Sequence, residues 1–225
     1  MRKEYGGMGF RHFFGFNLAM LGKQGWKLQT EPDTIVTKIY KAKYFPITDF
    51  LGAHLGHNPS FIWRSMFASQ VLVRGGQRWR VGNGSSINVW KAPWLRSLEN
   101  SFVSSPCVHG MENLTVIDLM DSMEARWNWE VINAVFNERD RAEIRKILPS
   151  SQEAEDKLIW RLNSKGCYTV KSAYRYAMQT LVNNEEYIVP GEWLRMWRLC
   201  IPQRIKVFFV ENAKGSPSHP NETSR

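Results

Sequence analysis

The sequence predicts a mixed α+β chain, mainly helical, with two short antiparallel β-hairpins and a disordered C-terminal tail. Three observations carry this expectation. Apolar residues recur at helical spacing behind capping residues through most of the chain. Two short runs with β-formers and alternating side chains, Arg78–Trp90 and Leu158–Val170, each contain a glycine-bearing turn. Residues 210–225 are mostly Ser, Pro, Asn, Thr and charge, without periodicity.

Taken in order, residues 1–16 are rich in Gly and Phe (Gly6, Gly7, Gly9, Phe10, Phe13, Phe14, Phe16) and read as an irregular lead-in. Asn17 is placed to cap a helix over Leu18–Leu28. Thr30, Pro32 and Asp33 start a second helix, continued by Ile35, Ile39 and Tyr40. Asn58-Pro59 starts a third, with Asn as the cap and Pro, whose φ is preset, at the first helical position. Its stripe is Ile62, Met66, Phe67 and Val71, and Gly75-Gly76 stops it.

The first hairpin runs up through Arg78-Trp79-Arg80-Val81, turns at Gly82-Asn83-Gly84, where positive φ is tolerated, and returns through Ile87, Val89 and Trp90. Trp79 and Val81 share one face of the arm, Arg78 and Arg80 the other. Ala92-Pro93-Trp94-Leu95 and a polar loop to Ser105 come next. Thr115 caps a short helix, Val116–Met120; Trp129, Ile132 and Phe136 fit another; Glu138–Leu148 is a third that Pro149 ends. Ser150–Glu155 reads as a polar linker. Leu158–Leu162, a turn at Asn163–Gly166 and Cys167–Val170 form the second hairpin. Ser172 then opens a helix over Ala173–Val182, and Gly191–Cys200 and Pro202–Val210 are two more helical segments. The expected organisation is a basic region, 1–105, holding the Trp/Arg hairpin 78–90; a helical connector, 106–150; a second unit, 155–209; and the tail, 210–225.

The chain has 225 residues, 43% hydrophobic with ten Trp, enough to bury a core. Its net charge of +9 is uneven: residues 1–90 hold twelve Lys/Arg against four acids, residues 91–225 eighteen against seventeen. The window Phe50–Leu98 has six basic residues and no acid. Any polyanion site therefore belongs to the first half. Arg64, Arg74, Arg78, Arg80, Lys91 and Arg96 are the candidates to meet phosphates, and Trp79 or Trp90 to stack on bases of RNA or DNA. The competing reading of these residues is a packed hairpin, with Trp79, Trp90 and Trp94 in its core and the arginines along its surface. A solvent-accessible ring beside the cations would separate the two.

Other chemistry finds little support. Cys107, Cys167 and Cys200 are odd in number and widely spaced, so they form no disulfide framework. Cys167 in a strand and Cys200 near a helix end read as small buried apolar residues. Cys107 has only His109 beside it, and His54-x-x-His57 lacks a third ligand, so no metal or other cofactor is expected. Asp33, Asp49, Asp118, Asp121, Asp140 and Asp156 are scattered and read as caps or surface charges. No Ser/His/Asp set is evident, and the glycine pairs lack the Lys-Ser/Thr ending of a phosphate-binding loop. The apolar runs are too short to span a bilayer and the start lacks a signal-peptide core, so no membrane partner is expected and cytoplasm or nucleus is the default location.

Gly6-Gly7-Met8-Gly9-Phe10-Arg11, Phe16-Asn17-Leu18-Ala19, Lys23-Gln24-Gly25-Trp26, Lys41-Ala42-Lys43-Tyr44-Phe45-Pro46 and Ser60-Phe61-Ile62-Trp63-Arg64-Ser65 form a series of sequence tags. With the first hairpin and Trp94-Leu95, they resemble the segment just after the polymerase domain of plant LINE-type (non-LTR) retroelement polyproteins. Leu158-Ile159-Trp160, Gly166–Tyr174, Trp193, Trp197 and Pro202–Phe208 look like the start of that family's reverse-transcriptase zinc-binding domain. The matches are collinear from Gly6 to about Phe209.

The resemblance implies a parent that performs RNA-directed DNA synthesis. It also implies what this chain lacks. The family's polymerase palm carries a Tyr-x-Asp-Asp motif whose carboxylates hold two metal ions, and no two aspartates are adjacent here. The family's zinc ligands lie beyond the last residue of this chain, and a ribonuclease H domain often comes after them. The expectation is a fragment of a retroelement reverse transcriptase, inactive alone, with residual nucleic-acid contact. The alternative is an interaction module exposing the stripe Trp193, Met196, Trp197 and Cys200. Read one base forward, codons for Val-Glu-Asn-Ala-Lys-Gly at 210–215 can encode Trp-Arg-Thr-Leu-Arg-Gly, the family's kind of continuation, so residues 210–225 read as a frameshifted end.

Overall fold

The computed structural model describes residue 3 and residues 8–97, 99–121, 126–149, 154–181 and 191–215. Helix α1 (Phe13–Thr30) begins earlier than the sequence suggests because His12, not Asn17, caps it: the Gly15 amide donates to His12 Nδ1 at 3.2 Å. Helix α2 (Ile35–Tyr44) is capped by Thr34, whose Oγ1 accepts the Thr37 amide at 3.3 Å. Helix α3 (Phe61–Ala68) is capped by Ser60 rather than Asn58, so Pro59 lies just outside it. After Ser69 the chain continues as α4 (Gln70–Gly76), which ends at the glycine pair as expected.

These helices enclose an aromatic core. Trp63 is fully buried, stacks on Tyr44 with ring centroids 4.4 Å apart and meets Phe45 and Phe50, while its indole N–H donates to the Leu55 carbonyl at 3.2 Å. Leu28, Leu51, Met66 and Val73 complete it.

The mainly helical class holds, but neither expected hairpin builds a two-stranded ladder of its own. Their first arms pair with each other. Strand β1 (Gln77–Arg80) runs antiparallel to β2 (Lys157–Trp160), with Arg78 opposite Ile159 and Trp79 opposite Leu158. The return arm of the first turn goes elsewhere: the Val89 amide donates to the Leu114 carbonyl at 2.9 Å and the Val116 amide to the Ile87 carbonyl at 3.0 Å. The second turn does close, with the Trp160 amide donating to the Gly166 carbonyl at 2.8 Å, yet residues 167–169 form no strand. Tyr168 is drawn into the interior and Thr169 caps the helix that begins at Val170. Strand pairing is decided by the burial of side chains rather than by the nearest turn.

A second core fills the middle of the chain. Val81, Ile87, Val89, Trp94 and Leu95 meet the 3-10 turn Val116–Leu119, which Thr115 caps as expected with help from Asp118. Two short helices close it, α5 (Trp129–Val135) capped by Asn128 and α6 (Glu138–Arg145) by Asn137. Trp127, Ile132, Phe136, Ile144 and Ile147 are the buried apolar residues of this stretch. Asp140 is fully buried and accepts the amides of Ser104 at 2.9 Å and Ser105 at 2.7 Å, both serine hydroxyls, and Arg139 at 2.8 Å. Burial alone pushes its pKa up, but the bonds from Ser105, Ser104 and Arg139 outweigh burial and hold it below the ordinary 3.8. A depressed pKa means a stabilising contribution present above about pH 4 and lost as pH falls through the native value. Asp140→Asn is therefore expected to be about 2 kcal/mol less stable at neutral pH. It should also show a shallower loss of stability between about pH 5 and pH 3, as urea midpoints read it. An unchanged acid limb would assign that limb to other carboxylates.

The third core joins helices α1 and α4 to the stretch from Trp160 to Ala177. Helix α7 (Val170–Thr180) lies along α1 and places Ala173 and Ala177 against Leu18, Ala19 and Leu72. Trp160 sits at the centre, with its ring against Tyr168 at 4.4 Å and Trp26 at 5.5 Å, and its indole N–H donating to Ser172 Oγ at 2.8 Å. A Cβ on Gly76 would clash with the Trp160 ring, so the glycine that ends α4 also makes room for this core. Burial pushes the Tyr168 hydroxyl pKa up, and that hydroxyl donates to the Ala19 carbonyl at 2.8 Å. The chain thus crosses from the 1–105 segment to the 155–209 segment through both a strand pair and a helix pair.

Helix α8 (Trp193–Arg198) leads to the longer α9 (Gln203–Gly215), and the Lys206 ammonium, largely buried, donates to the Trp197 carbonyl at 3.0 Å. Trp193, Met196 and Trp197 are half-buried, whereas Cys200 is exposed. Residues 210–215, expected in the tail, continue α9, and Val210 is fully buried. The rest of the expected tail, 216–225, lies outside the described residues, as do residues 150–153 of the linker, Gly6 and Gly7 of the lead-in, and Val182, the expected end of the Ser172 helix.

Candidate nucleic-acid interface

The β1–β2 pair forms one wall of a half-open groove of about 690 Å³. On β1, residues of alternating parity face opposite ways, so Arg78 and Arg80 line the groove, while Trp79 packs against the central core and still contributes to the groove's lining. On β2, Ile159 faces the same way as Arg78, and Arg161 comes after it at the same parity. The tight turn Asn163–Gly166 contributes Lys165, and Arg96 comes from the stretch after Trp94. Ile147, Leu148 and Pro149 form the apolar side, with Leu148 85% exposed. Five cations line this groove, and none of its described lining residues is acidic.

The electrostatic consequence is visible at Arg78. Its pKa is lowered, first by partial burial and then by repulsion from Arg96 and Arg161. It stays charged at any ordinary pH, so the fold carries the cost of holding like charges together. Arg96 donates to the Lys146 carbonyl at 3.0 Å, and Arg161 Nε to the Gly75 carbonyl at 2.8 Å, which anchors both stems at the groove.

Of the candidates read from sequence, Arg78, Arg80 and Arg96 are brought together here. Arg64, on α3, and Lys91 are exposed away from the groove, and Arg74 donates to the Leu51 carbonyl at 2.7 Å. The two tryptophans are neither fully exposed nor fully buried. Trp79 is half-buried, and Trp90 stacks on Phe136 at 5.7 Å with its N–H donating to the Met111 carbonyl at 2.6 Å. Trp94 is 1% exposed and donates to the Val89 carbonyl at 3.1 Å. Trp94 is core, whereas Trp79 and Trp90 are partly buried against that core and Trp79 also lines the groove. Sequence reasoning misses Arg161 and Lys165. The period-2 pattern of Ile159 and Arg161 against Leu158 and Trp160 carries the signal for the first of them.

The turn Gly82-Asn83-Gly84-Ser85-Ser86 has a purpose the sequence does not reveal. The amides of Gly82 and Gly84 donate to Asp156 Oδ1 at 2.8 and 2.9 Å, and the amide of Ser86 to Asp156 Oδ2 at 2.9 Å. The Asn83 amide donates to the Ala154 carbonyl at 2.7 Å. Three N–H groups of one turn thus cradle a carboxylate, the geometry of an anion nest occupied from within the chain. Gly84 has φ +79, and a Cβ there would meet the Ile117 amide nitrogen at 2.6 Å, so glycine is required.

Other expected sites resolve simply. Cys107, Cys167 and Cys200 are all exposed, which corrects the buried reading of the last two: Cys167 leaves a turn rather than entering a strand, and Cys200 lies beyond the end of a short helix. His54 and His57 are not brought together with a third ligand: among the described residues no three His, Cys, Asp or Glu converge as a metal cluster. Among the same residues no helix is long and apolar enough to cross a membrane.

No family model matches the chain and no solved structure matches it. Two Arabidopsis thaliana proteins are similar. One is an uncharacterized mitochondrial protein, 31% identical over 94 residues, which is 42% of this chain and 61% of that protein. The other is provisionally described as a ribonuclease H protein, 26% identical over 215 residues, covering 92% of this chain and 34% of that protein. This chain therefore spans less than two thirds of either relative, and its likeness to the second runs through nearly its whole length.

Proposed function

We propose that the chain is a non-polymerising portion of a plant non-LTR retroelement reverse-transcriptase protein, and that its groove contacts the phosphate backbone of nucleic acid. The family placement is supported by the collinear motifs and by the relative described as a ribonuclease H protein, an activity that accompanies reverse transcription in such polyproteins. One observation carries the binding reading: Arg78, Arg80, Arg96, Arg161 and Lys165 converge on a groove with no acidic residue among its described lining. A fold that gathers like charges loses stability unless a polyanion offsets them.

Filter binding of the purified chain to a mixed-sequence polynucleotide tests this. Neutralising about four to five phosphates predicts that log K falls with log salt at a slope of roughly −3 to −5. Arg80→Ala and Lys165→Ala, both at exposed positions, should each make that slope shallower by about one unit. Arg64→Ala, an exposed cation off the groove, should leave it unchanged. No affinity at low salt, or equal losses from all three variants, would remove the groove from this reading.

A further inference from the structure

We infer that the outward face of α2 is a docking site for an acidic amphipathic helix of a partner protein. Helix α2 has two apolar sides. Thr37 is buried, and Tyr40 and Tyr44 pack on the aromatic core, their rings 6.0 and 4.4 Å from that of Trp63. Opposite them, Ile35, Ile39 and Ala42 recur at i, i+4 and i+7, with Val36 beside them. Ile35 is 77% exposed, Ile39 60% and Val36 58%. Local helix stability does not account for these residues, because β-branched side chains are weaker helix formers than the Ala, Glu or Lys that suit a solvated face. Scattered apolar residues are ordinary on a surface; three adjoining ones on one face of one helix form a patch.

The border of the patch defines what fits it. Lys38 flanks the row on one side with Lys41 behind it, and Lys43 flanks it on the other, its ammonium 5.2 Å from the Tyr44 ring centre. All three lysines are exposed, and residues 34–48 hold no acid. A helix with an apolar row at the same spacing and carboxylates on its shoulders satisfies both features at once. Nucleic acid would gain from the lysines and nothing from Ile35 and Ile39. A second copy would bring the three lysines of one α2 against the three of the other, with Asp33, already 3.9 Å from Lys38, the nearest acid in each. An anionic lipid surface would meet Glu31 and Asp33, both exposed at the start of the helix. None of these residues lines the groove, so the inference stands apart from the phosphate-binding reading.

The test is fluorescence anisotropy of the full chain with a labelled designed peptide of about 20 residues, carrying leucine at i, i+3, i+4 and i+7 and glutamate on both shoulders. Two control peptides accompany it, one with lysine in place of glutamate and one with the same composition scrambled. The glutamate peptide should bind at least about tenfold more tightly than either control. Ile39→Ser, at an exposed position, should weaken it about tenfold, with the fold confirmed by circular dichroism. Lys38→Glu combined with Lys43→Glu should do the same and should bind the lysine peptide instead, whereas Arg64→Glu, an exposed cation off α2, should stay within about twofold of the parent. Equal binding of the glutamate peptide and its scrambled counterpart would overturn the inference, since net charge alone would then explain it. Light scattering that finds a dimer dispersed by Ile39→Ser would overturn it in favour of a second copy. Sedimentation with phosphatidylserine-containing vesicles that is lost in the same variant would overturn it in favour of a lipid surface.

Discussion

Replacing Trp160 with alanine is expected to lower the unfolding free energy by about 3–5 kcal/mol, the usual range for truncating a fully buried large aromatic. The ring has no solvent exposure and lies where the N-terminal helices and the C-terminal segment share one core. Its removal deletes the contacts with Tyr168 and Trp26 and leaves Ser172 Oγ without the indole donor. It also opens a void over Gly76, whose bare Cα is the floor of the ring's pocket. For a chain of this size the loss corresponds to a fall in Tm of roughly 6–20 °C. Phenylalanine at 160 should recover part of it by refilling volume without the hydrogen bond. Gly76→Val should mimic the truncation from the opposite side, since the side chain and the ring cannot both be accommodated. Urea unfolding followed by circular dichroism reads all three. A change below about 1 kcal/mol for Trp160→Ala would mean that the two segments are not held together through this core.

The same tryptophan shows where the sequence is legible and where it is not. Local signals survive well. Thr115 caps its turn, the pair Gly75-Gly76 ends α4, and the alternation of Arg78 and Arg80 against Trp79 is kept in the strand. These depend on backbone chemistry within a few residues, which a pattern of residue types encodes directly. Pairing partners are another matter. Arg78 and Ile159 face each other across a separation that no local turn spans, and the choice is made by the need to bury Trp160 under α4. Three of the groove's five cations, Arg78, Arg80 and Arg96, are visible as basic residues in an acid-free window. The other two, Arg161 and Lys165, belong to a charge-balanced part of the sequence and join only through that pairing. Cys200 departs from its expected burial for a related reason: periodicity places it on a stripe, but periodicity does not say that the helix has already ended at Arg198.

Asp156→Ala is the second large expected effect, and it separates architecture from charge. Structurally, the carboxylate is the acceptor for three amides of the Gly82–Ser86 turn, two of them on buried glycines. Without it those donors are left unsatisfied, at about 1–3 kcal/mol for each that water cannot reach, so a total near 2–4 kcal/mol is expected. Asp156→Asn keeps one acceptor oxygen and should fall between the two. Functionally, the turn holds the end of β1, so its release frees Arg78 and Arg80 from their fixed positions in the groove. Pure electrostatics predicts the reverse outcome, because deleting an acid next to β2 makes the region more positive and should tighten polyanion binding. The expected result is weaker polynucleotide binding, by roughly three- to tenfold, despite the gain in net charge. Chemical denaturation gives the stability and anisotropy at fixed salt gives the affinity, on samples confirmed as folded at the temperature used. Tighter binding with unchanged stability would show that Asp156 acts only as a neighbouring charge and that the amides of the turn find other acceptors.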